Sequence, residues 1–416
     1  MRYISCLLII CLFAALLSLP MASCATEQSG AAPDEQLASA VNAFAVDVYK
    51  QLALKGGNIF FSPYSISSAM AVAYAGARGN TAVEMAKVLH FTNYKSDIHA
   101  AIKSLQDGFD SIPEEDGALS VANRLWLDKK EELKPDYSAL VETNYGASIE
   151  IADFFNEYEK ARVEINNWVT EKTRDRIKNL LRPGEVNSIT KLVLVNAIYF
   201  DSVWLNPFDK SVTTEEPFRT GKDKQRNVSM MHRTGDFFYG ENAAAQWIII
   251  PYRISGFYMT IFLPRENESF TQMKEFEGKL SNKALNSWME DMRECKVAIS
   301  MPKFKDRSRV NLTDILQMLG MNLAFDWTKA DFSGMVAEPL RNGYTLCISD
   351  IIHQAFIELD EERTVAEAAT AVVTTTSASI YNPDPEIEFR ADRPFLYSIT
   401  DGSGAILFMG RMADPR

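Results

Sequence analysis

One stretch constrains this chain more than any other, Asp360 to Tyr381: Asp-Glu-Glu-Arg-Thr-Val-Ala-Glu-Ala-Ala-Thr-Ala-Val-Val-Thr-Thr-Thr-Ser-Ala-Ser-Ile-Tyr. It follows an apolar run, Ile351 to Leu359, that reads as a strand, and it precedes Asn382-Pro383-Asp384-Pro385, where proline forbids regular ladder pairing. The stretch is a tether between two ordered pieces, yet its composition is wrong for one. Flexible linkers are rich in Gly and Ser, whereas Thr364 to Thr376 is mainly Ala, Val and Thr with neither Gly nor Pro. Small and β-branched side chains suit a strand that fits between neighbours in a sheet. An ordinary surface strand, or a helical turn through the alanines, fits the same composition.

What surrounds this stretch is a large globular domain. The 416 residues are 47% hydrophobic and 24% charged, enough to bury a sizeable core, and no Gly/Ser/Pro-rich or charged boundary appears after about residue 36. Residues 36–416 are read as a single domain. A formal net charge of -12 argues against nucleic acid and anionic membrane surfaces as partners, because both need a basic face. A monomer is expected, with no cofactor.

The N-terminus has Arg2, an apolar run from Ile4 to Leu19, then Pro20-Met21-Ala22-Ser23-Cys24-Ala25. The run is short for a membrane span and right for an export signal, so residues 1–23 are read as a signal peptide and 24–35 as a polar tether. Cleavage after Ala25 would release the chain. Cleavage before Cys24, in a segment similar to a bacterial lipoprotein signal, would leave Cys24 to carry a lipid anchor. The expected location is outside the cytoplasm: secreted, periplasmic, or on the cell surface as a lipoprotein. Beyond the signal and Cys24 only Cys295 and Cys347 remain, so stability must come from the core and not from a disulfide framework.

Along the chain, Leu37, Val41, Phe44, Val48 and Leu52 recur at helical steps, and Gly56-Gly57 ends that helix. Ser62 and Pro63 make a cap and first position for a second helix that is apolar nearly all round, hence buried. Lys160 to Leu181 reads as a further helix. Ser120 to Leu127, Lys191 to Phe200, Trp247 to Pro251, Phe257 to Leu263, Val297 to Met301 and Ala405 to Gly410 read as strands. Early helices and later antiparallel-looking strands make the class α+β.

Chemistry-bearing motifs are scarce. His90, His99, His232 and His353 each stand alone, with no Cys or His at metal-ligand spacing, so no metal site is expected. Nucleophile elbows and glycine-rich phosphate loops are absent from the sequence. Both observations argue against an enzyme.

Other runs carry a family resemblance. They are Asn58-Ile-Phe-Phe-Ser-Pro-Tyr-Ser-Ile; Ile165-Asn-Asn-Trp-Val; Leu194-Val-Asn-Ala-Ile-Tyr-Phe with Trp204 and Phe208; Met259-x-Ile-Phe-Leu-Pro; and Leu319-Gly followed by Ala330-Asp-Phe-Ser-Gly-Met. His353-x-Ala-x-Ile-x-Leu-Asp-Glu-Glu, Asp392-Arg-Pro-Phe, and Leu407-Phe-Met-Gly-Arg followed by Asp414-Pro complete the set. In this order and spacing, over about residues 36 to 416, the chain resembles a serpin, of the inhibitory type and prokaryotic. The resemblance implies an α+β fold of three β-sheets and eight or nine helices, with Glu361 to Tyr381 exposed as bait for a serine or cysteine protease. Serpin loop insertion is an established instance of strand addition driven by stored strain; the cleaved loop enters the main sheet and drags the acylated protease with it.

The family spacing of sixteen residues onward from Glu361 implies cleavage at Ser377-Ala378, suiting elastase- or subtilisin-like proteases; a loop longer than usual leaves Ser379, Ile380 and Tyr381 as alternatives, the last suiting a chymotrypsin-like pocket. Sixteen residues at about 3.3 Å each span roughly 53 Å. Ten inserted residues at about 1 kcal/mol each in ladder bonding total about 10 kcal/mol. Alternation would bury Thr364, Ala366, Ala368, Thr370 and Val372 and turn Arg363, Val365, Glu367, Ala369 and Ala371 outward.

The hinge, by the same resemblance, is Glu361, Glu362, Arg363, Thr364, Val365, Ala366, Glu367, Ala368 and Ala369. It departs from the family at Arg363, usually Gly, at Val365, usually Glu, and at Glu367, usually small; loss of the Gly would slow it. Carried over likewise, Glu361 pairs with Lys303 beside Trp204 where the loop begins. Asn58, Ser62, Ser65, Asn196 and His353 form a polar cluster beneath the opening sheet, with static structural satisfaction as the plainer role. A non-inhibitory binding or carrier serpin is the alternative.

Overall fold

The computed structural model describes residues 33–94, 97–113, 115–145, 149–267, 271–337, 345–364 and 387–415. Helix α1 (Pro33–Ala53) buries Leu37, Val41, Phe44, Val48 and Leu52. It takes in residues 33–35, read above as tether, because proline is pre-organised for a first helical turn. Gly56 and Gly57 follow with φ of 68° and 75°, the left-handed region that stops a helix. Ser62 caps α2 (Pro63–Gly76) by accepting a hydrogen bond from Ser65 N, and most of α2 is buried, as an all-round apolar helix requires.

The other helices are α3 (Gly79–Val88), α4 (Ile98–Asp110), α5 (Pro135–Tyr145), α6 (Phe154–Lys172), α7 (Gln272–Lys279), α8 (Asn282–Glu290) and α9 (Thr313–Met318). The strands are β1 (Ile59–Phe61), β2 (Gly117–Asp128), β3 (Glu150–Ala152), β4 (Leu192–Val203), β5 (Thr214–Gly221), β6 (Lys224–Glu241), β7 (Ala245–Pro251), β8 (Tyr258–Pro264), β9 (Arg293–Pro302), β10 (Phe304–Asn311), β11 (Asp350–Leu359), β12 (Arg363–Thr364), β13 (Ile387–Arg390), β14 (Phe395–Thr400) and β15 (Ile406–Met412).

Six strands form one sheet in the order β10-β11-β12-β4-β2-β3. A second hydrogen-bonded array runs β1-β15-β14-β8-β7-β6-β9-β13, with β5 on β6. The long strand β6 divides this array in two: Lys224 to Tyr239 pairs with β5 and β9, and its last residues, Tyr239 to Glu241, pair with β7. Three sheets and nine helices among the described residues meet the expected α+β architecture. Helix α2 packs against β4, β2 and β15, filling the space between sheets.

Both faces of the six-stranded sheet are covered, which is why Leu192 to Phe200 is one unbroken buried run. The inner face joins the main core through Leu194, Ile198, Phe200, Ala355, Ile357 and Leu359. The outer face joins a smaller core, where Val193, Val195, Ala197 and Ile352 meet Ile165 and Val169 of α6.

Helix α6 differs from the span expected for it. It starts at Phe154, capped by Asp153, and ends at Lys172 instead of Leu181. Beyond it Arg174, Asp175 and Asn179 have positive φ, and the chain folds back. Asn166 Nδ2 donates to Leu181 O at 2.9 Å while its Oδ1 accepts from Leu181 N at 2.8 Å, so a side-chain amide stands in for a strand partner. Ile177, Leu180 and Leu181 are buried in this returning loop and extend the apolar period past the helix that generated it. Cys295 and Cys347 are free and partly buried. Among the described residues no helix is long and apolar enough to cross a membrane.

Candidate functional site

The centre of interest is the seam between β11 and β4. These strands run parallel and pair from Asp350↔Val193 to Ala355↔Ile198, then part. In the fork sits β12, antiparallel to both, with Leu359↔Thr364 on one side and Thr364↔Ser202 and Arg363↔Val203 on the other. The start of the odd tether is therefore already a strand of the sheet.

A tight turn puts it there. Asp360 Oδ1 accepts from Glu362 N at 2.9 Å and Arg363 N at 3.0 Å, and Asp360 N donates to Arg363 O at 2.9 Å. An aspartate that bonds its own backbone two and three residues on reverses the chain locally. Trp204, fully buried, donates Nε1–H to Asp360 O and N–H to Glu362 O, each at 2.9 Å.

Glu361, Lys303 and Trp204 thus come together as the resemblance implied. Lys303 Nζ lies 2.9 Å from Glu361 Oε2, and Glu361 is only 3% exposed. Burial pushes the Glu361 carboxyl up, but hydrogen bonds from Lys303, its backbone surroundings and Thr213, with the Lys303 charge, outweigh it and hold the carboxyl below the usual glutamate range.

Thr213, Phe208, Lys210 and Tyr252 were not foreseen in this role. Thr213 Oγ1 donates to Glu361 Oε1 at 2.8 Å and Phe208 N to Glu361 O at 2.8 Å. Lys210 pairs with Glu362 at 2.7 Å. Tyr252 stacks on Trp204 with ring centroids 4.6 Å apart, and its hydroxyl lies 2.9 Å from Thr364 Oγ1. Phe208, Lys210 and Thr213 lie in one irregular stretch after β4 and Tyr252 follows β7, and none of them carries a periodic pattern that would mark it.

Thr364 is 1% exposed, as the expected alternation requires. Arg363 points to the other face, where Nη1 lies 3.5 Å from Asp201 Oδ1. It is not among the described residues with positive φ. An extended backbone makes no demand for glycine, so the expected penalty at this position is absent from this conformation.

Lower on the seam, His353 and Asn196 face each other across β11 and β4. His353 is fully buried; its Nε2 accepts from Ser62 N at 3.1 Å, which puts the proton on Nδ1, 2.5 Å from Asn196 Oδ1. Burial lowers the His353 pKa to about 3, so the ring is neutral. Asn196 Nδ2 donates to Ser65 O at 2.8 Å, Ser65 Oγ at 2.5 Å and Asn123 Oδ1 at 2.5 Å. Ser62, Ser65, Asn196 and His353 are joined, and Asn123 is an unforeseen fifth member.

Asn58 does not join them. It accepts from Ala413 N and Asp414 N at 2.9 and 2.8 Å and donates to Asp414 O at 3.0 Å, fastening the C-terminus. The reason is local: Asn58 stands just before β1, whose first residue Ile59 pairs with Arg411 of β15, so its side chain is beside Ala413 and Asp414. Among the described residues no three His, Cys, Asp or Glu side chains converge to hold a metal ion. Val365, Ala366, Glu367, Ala368 and Ala369, the bond Ser377-Ala378, its alternatives at Ser379, Ile380 and Tyr381, and Cys24 lie outside the described residues.

The parallel pair β11 and β4 thus parts only where β12 stands between them. The model of the family described as Serpin (serine protease inhibitor) matches residues 39–415. The chain is 39% identical over 393 residues to a leukocyte elastase inhibitor of Homo sapiens, covering 92% of this chain and 100% of the relative. It is 37% identical to a serpin-like protein of Thermococcus kodakarensis, covering 92% and 87%. The crystal structure of maspin superposes with a TM-score of 0.83 at 30% identity, covering 92% and 100%. The chain belongs to the serpin family, and it is a protease inhibitor rather than an enzyme.

Proposed function

We propose that this chain is a suicide inhibitor of serine proteases outside the cell, cleaved in the loop after β12, which then enters the sheet between β11 and β4 and traps the acyl-enzyme. The observation that carries this reading is the fork itself: Thr364 parts Leu359 from Ser202, while the same two strands remain paired below. Continuing that register by twos would bring Ala366 between Ile357 and Phe200, and Ala368 between Ala355 and Ile198. Thr370 would then fall between His353 and Asn196, and Val372 between Ile351 and Leu194. All eight flanking residues are buried, and the four newcomers are small or β-branched.

Insertion would have to break the His353–Asn196 hydrogen bond, and the hydroxyl of Thr370 could replace it on both sides. A neutral imidazole suits that exchange, since no buried charge is stranded while the strands part. On the outer face Ala369 and Ala371 would lie against Ala197, Val195 and Ile352, beneath α6, where only small side chains leave the helix in place.

Cleavage at Ser377-Ala378 would suit a protease with a small primary pocket, and the names of relatives called leukocyte elastase inhibitor support a serine protease as the target. The test is incubation with elastase, subtilisin, chymotrypsin and trypsin, followed by a denaturing gel and the mass of the released C-terminal peptide. A covalent complex and a peptide beginning at Ala378 are expected. A peptide starting at Ile380 or later would move the bond. Cleaved loop with no complex from any of the four would replace this reading by a binding or carrier role for the same fold.

A further inference from the structure

Two departures of this loop from its family carry charge: Arg363, which lies on the outer face of the sheet, and Glu367, which the same alternation would bring to that face on insertion. The first has its counter-charge in Asp201. The register defined by Thr364 carries the second to a definite place, because Glu367 would lie between Phe356 of β11 and Tyr199 of β4. That place is the crotch of the fork, since the last paired residues, Ala355 and Ile198, immediately precede Phe356 and Tyr199.

Each of these rings carries an arginine. The Arg174 guanidinium carbon lies 5.9 Å from the Tyr199 ring centroid and that of Arg307 lies 5.5 Å from the Phe356 ring. Arg174 belongs to the loop that returns after α6, and Arg307 is the cross-strand neighbour of Phe356 on β10. Arg307 Nη2 donates to Arg176 O at 3.2 Å, so the two supporting elements meet over the seam. Among the described residues neither Arg174 nor Arg307 has a carboxylate within ion-pair distance, whereas Glu358, the acidic residue nearest along β11, is paired with Lys305. Two guanidinium groups over two rings, at the point where a sheet divides, form a cleft complementary to one carboxylate.

We propose that Arg174 and Arg307 are a carboxylate-binding cleft whose occupant is segment 365–372 of this chain, seated through Glu367 as the loop inserts. The proposal rests on the insertion reading above and deepens it. Glu367 is a positioning residue: its ion pairs form only after Val365 and Ala366 have entered behind the already paired Thr364, and they hold the fork open at the step that commits the rest of the strand. A small residue, as in other family members, would leave Arg307 with the Arg176 carbonyl and Arg174 with the more distant charge of Asp201, and neither with a paired carboxylate in the inserted state.

The test compares Glu367→Gln, Glu367→Ala and the double variant Arg174→Gln/Arg307→Gln with the unaltered chain, each first required to keep its intact melting temperature. Expected is a several-fold rise in the moles of inhibitor consumed per mole of elastase trapped, with the rate of loop attack unchanged. Adding Glu367→Gln to the arginine double variant should then add nothing further. Wild-type consumption by Glu367→Gln and Glu367→Ala, or equal effects of Glu367→Gln with and without the arginines, would overturn the cleft while leaving insertion intact. An unaltered chain that neither traps elastase nor gains heat stability on nicking would remove the insertion reading and the cleft with it.

Discussion

Buried polar residues of the seam are its most sensitive points, because each is satisfied only by the others. Asn196 bonds Ser65, Asn123 and His353 at once. Asn196→Ala leaves several of these partners without a bond at about 1–3 kcal/mol each, so a loss of about 3 kcal/mol is expected in urea unfolding. His353 titrates lower in the folded chain, at about 3, than its ordinary value near 6.5. Its contribution is therefore complete above about pH 6.5 and is lost at about 1.4 kcal/mol per pH unit as the pH falls toward 3. A His353→Gln variant should show a shallower decline in stability between pH 6.5 and 5, and an unchanged slope would contradict the burial of a neutral ring. For Glu361 the folded value is also depressed, so the stability it supplies is present above the ordinary glutamate value and lost as the pH falls through the lower folded one. Lys303→Met should cost about 1.5–3 kcal/mol at neutral pH and converge with the parent in acid, as read by urea midpoints.

At the scale of the element, the sheet is a parallel pair held apart at one end by two residues of a third strand. Thr364→Arg would press a guanidinium into a space where the threonine is 1% exposed and bonded to Tyr252. Burying an unpaired charge costs several kcal/mol, so the variant should be cleaved as a substrate, with inhibitor consumption per protease raised by at least about tenfold. Element scale is also where sequence and structure separate. Strand β4 was legible because both its faces are buried and it reads as a continuous apolar run. Strand β6, with 18 residues, was not, since many are exposed and its alternation is broken where it passes from one sheet to the next. Helix α6 was misplaced because the loop behind it repeats the apolar spacing while the Asn166 side chain folds it back. The site was legible in part. Glu361, Lys303, Trp204, Ser62, Ser65, Asn196 and His353 lie in recognisable runs, whereas Asn123, Thr213 and Tyr252 reach the seam only through tertiary packing.

For the whole molecule, the proposed function requires that the loop after β12 add a strand between β11 and β4 once it is cut. If the loop enters after cleavage, about ten added ladder bonds bring on the order of 10 kcal/mol. For a domain this large that raises the melting temperature by roughly 10 °C or more. A nick in a surface loop that does not insert is expected to leave stability unchanged or lower. The decisive measurement is the melting temperature of the intact protein against the same protein nicked at the loop and freed of protease. A large rise on nicking is expected; equal or lower stability of the nicked form would contradict the account of the seam between β11 and β4.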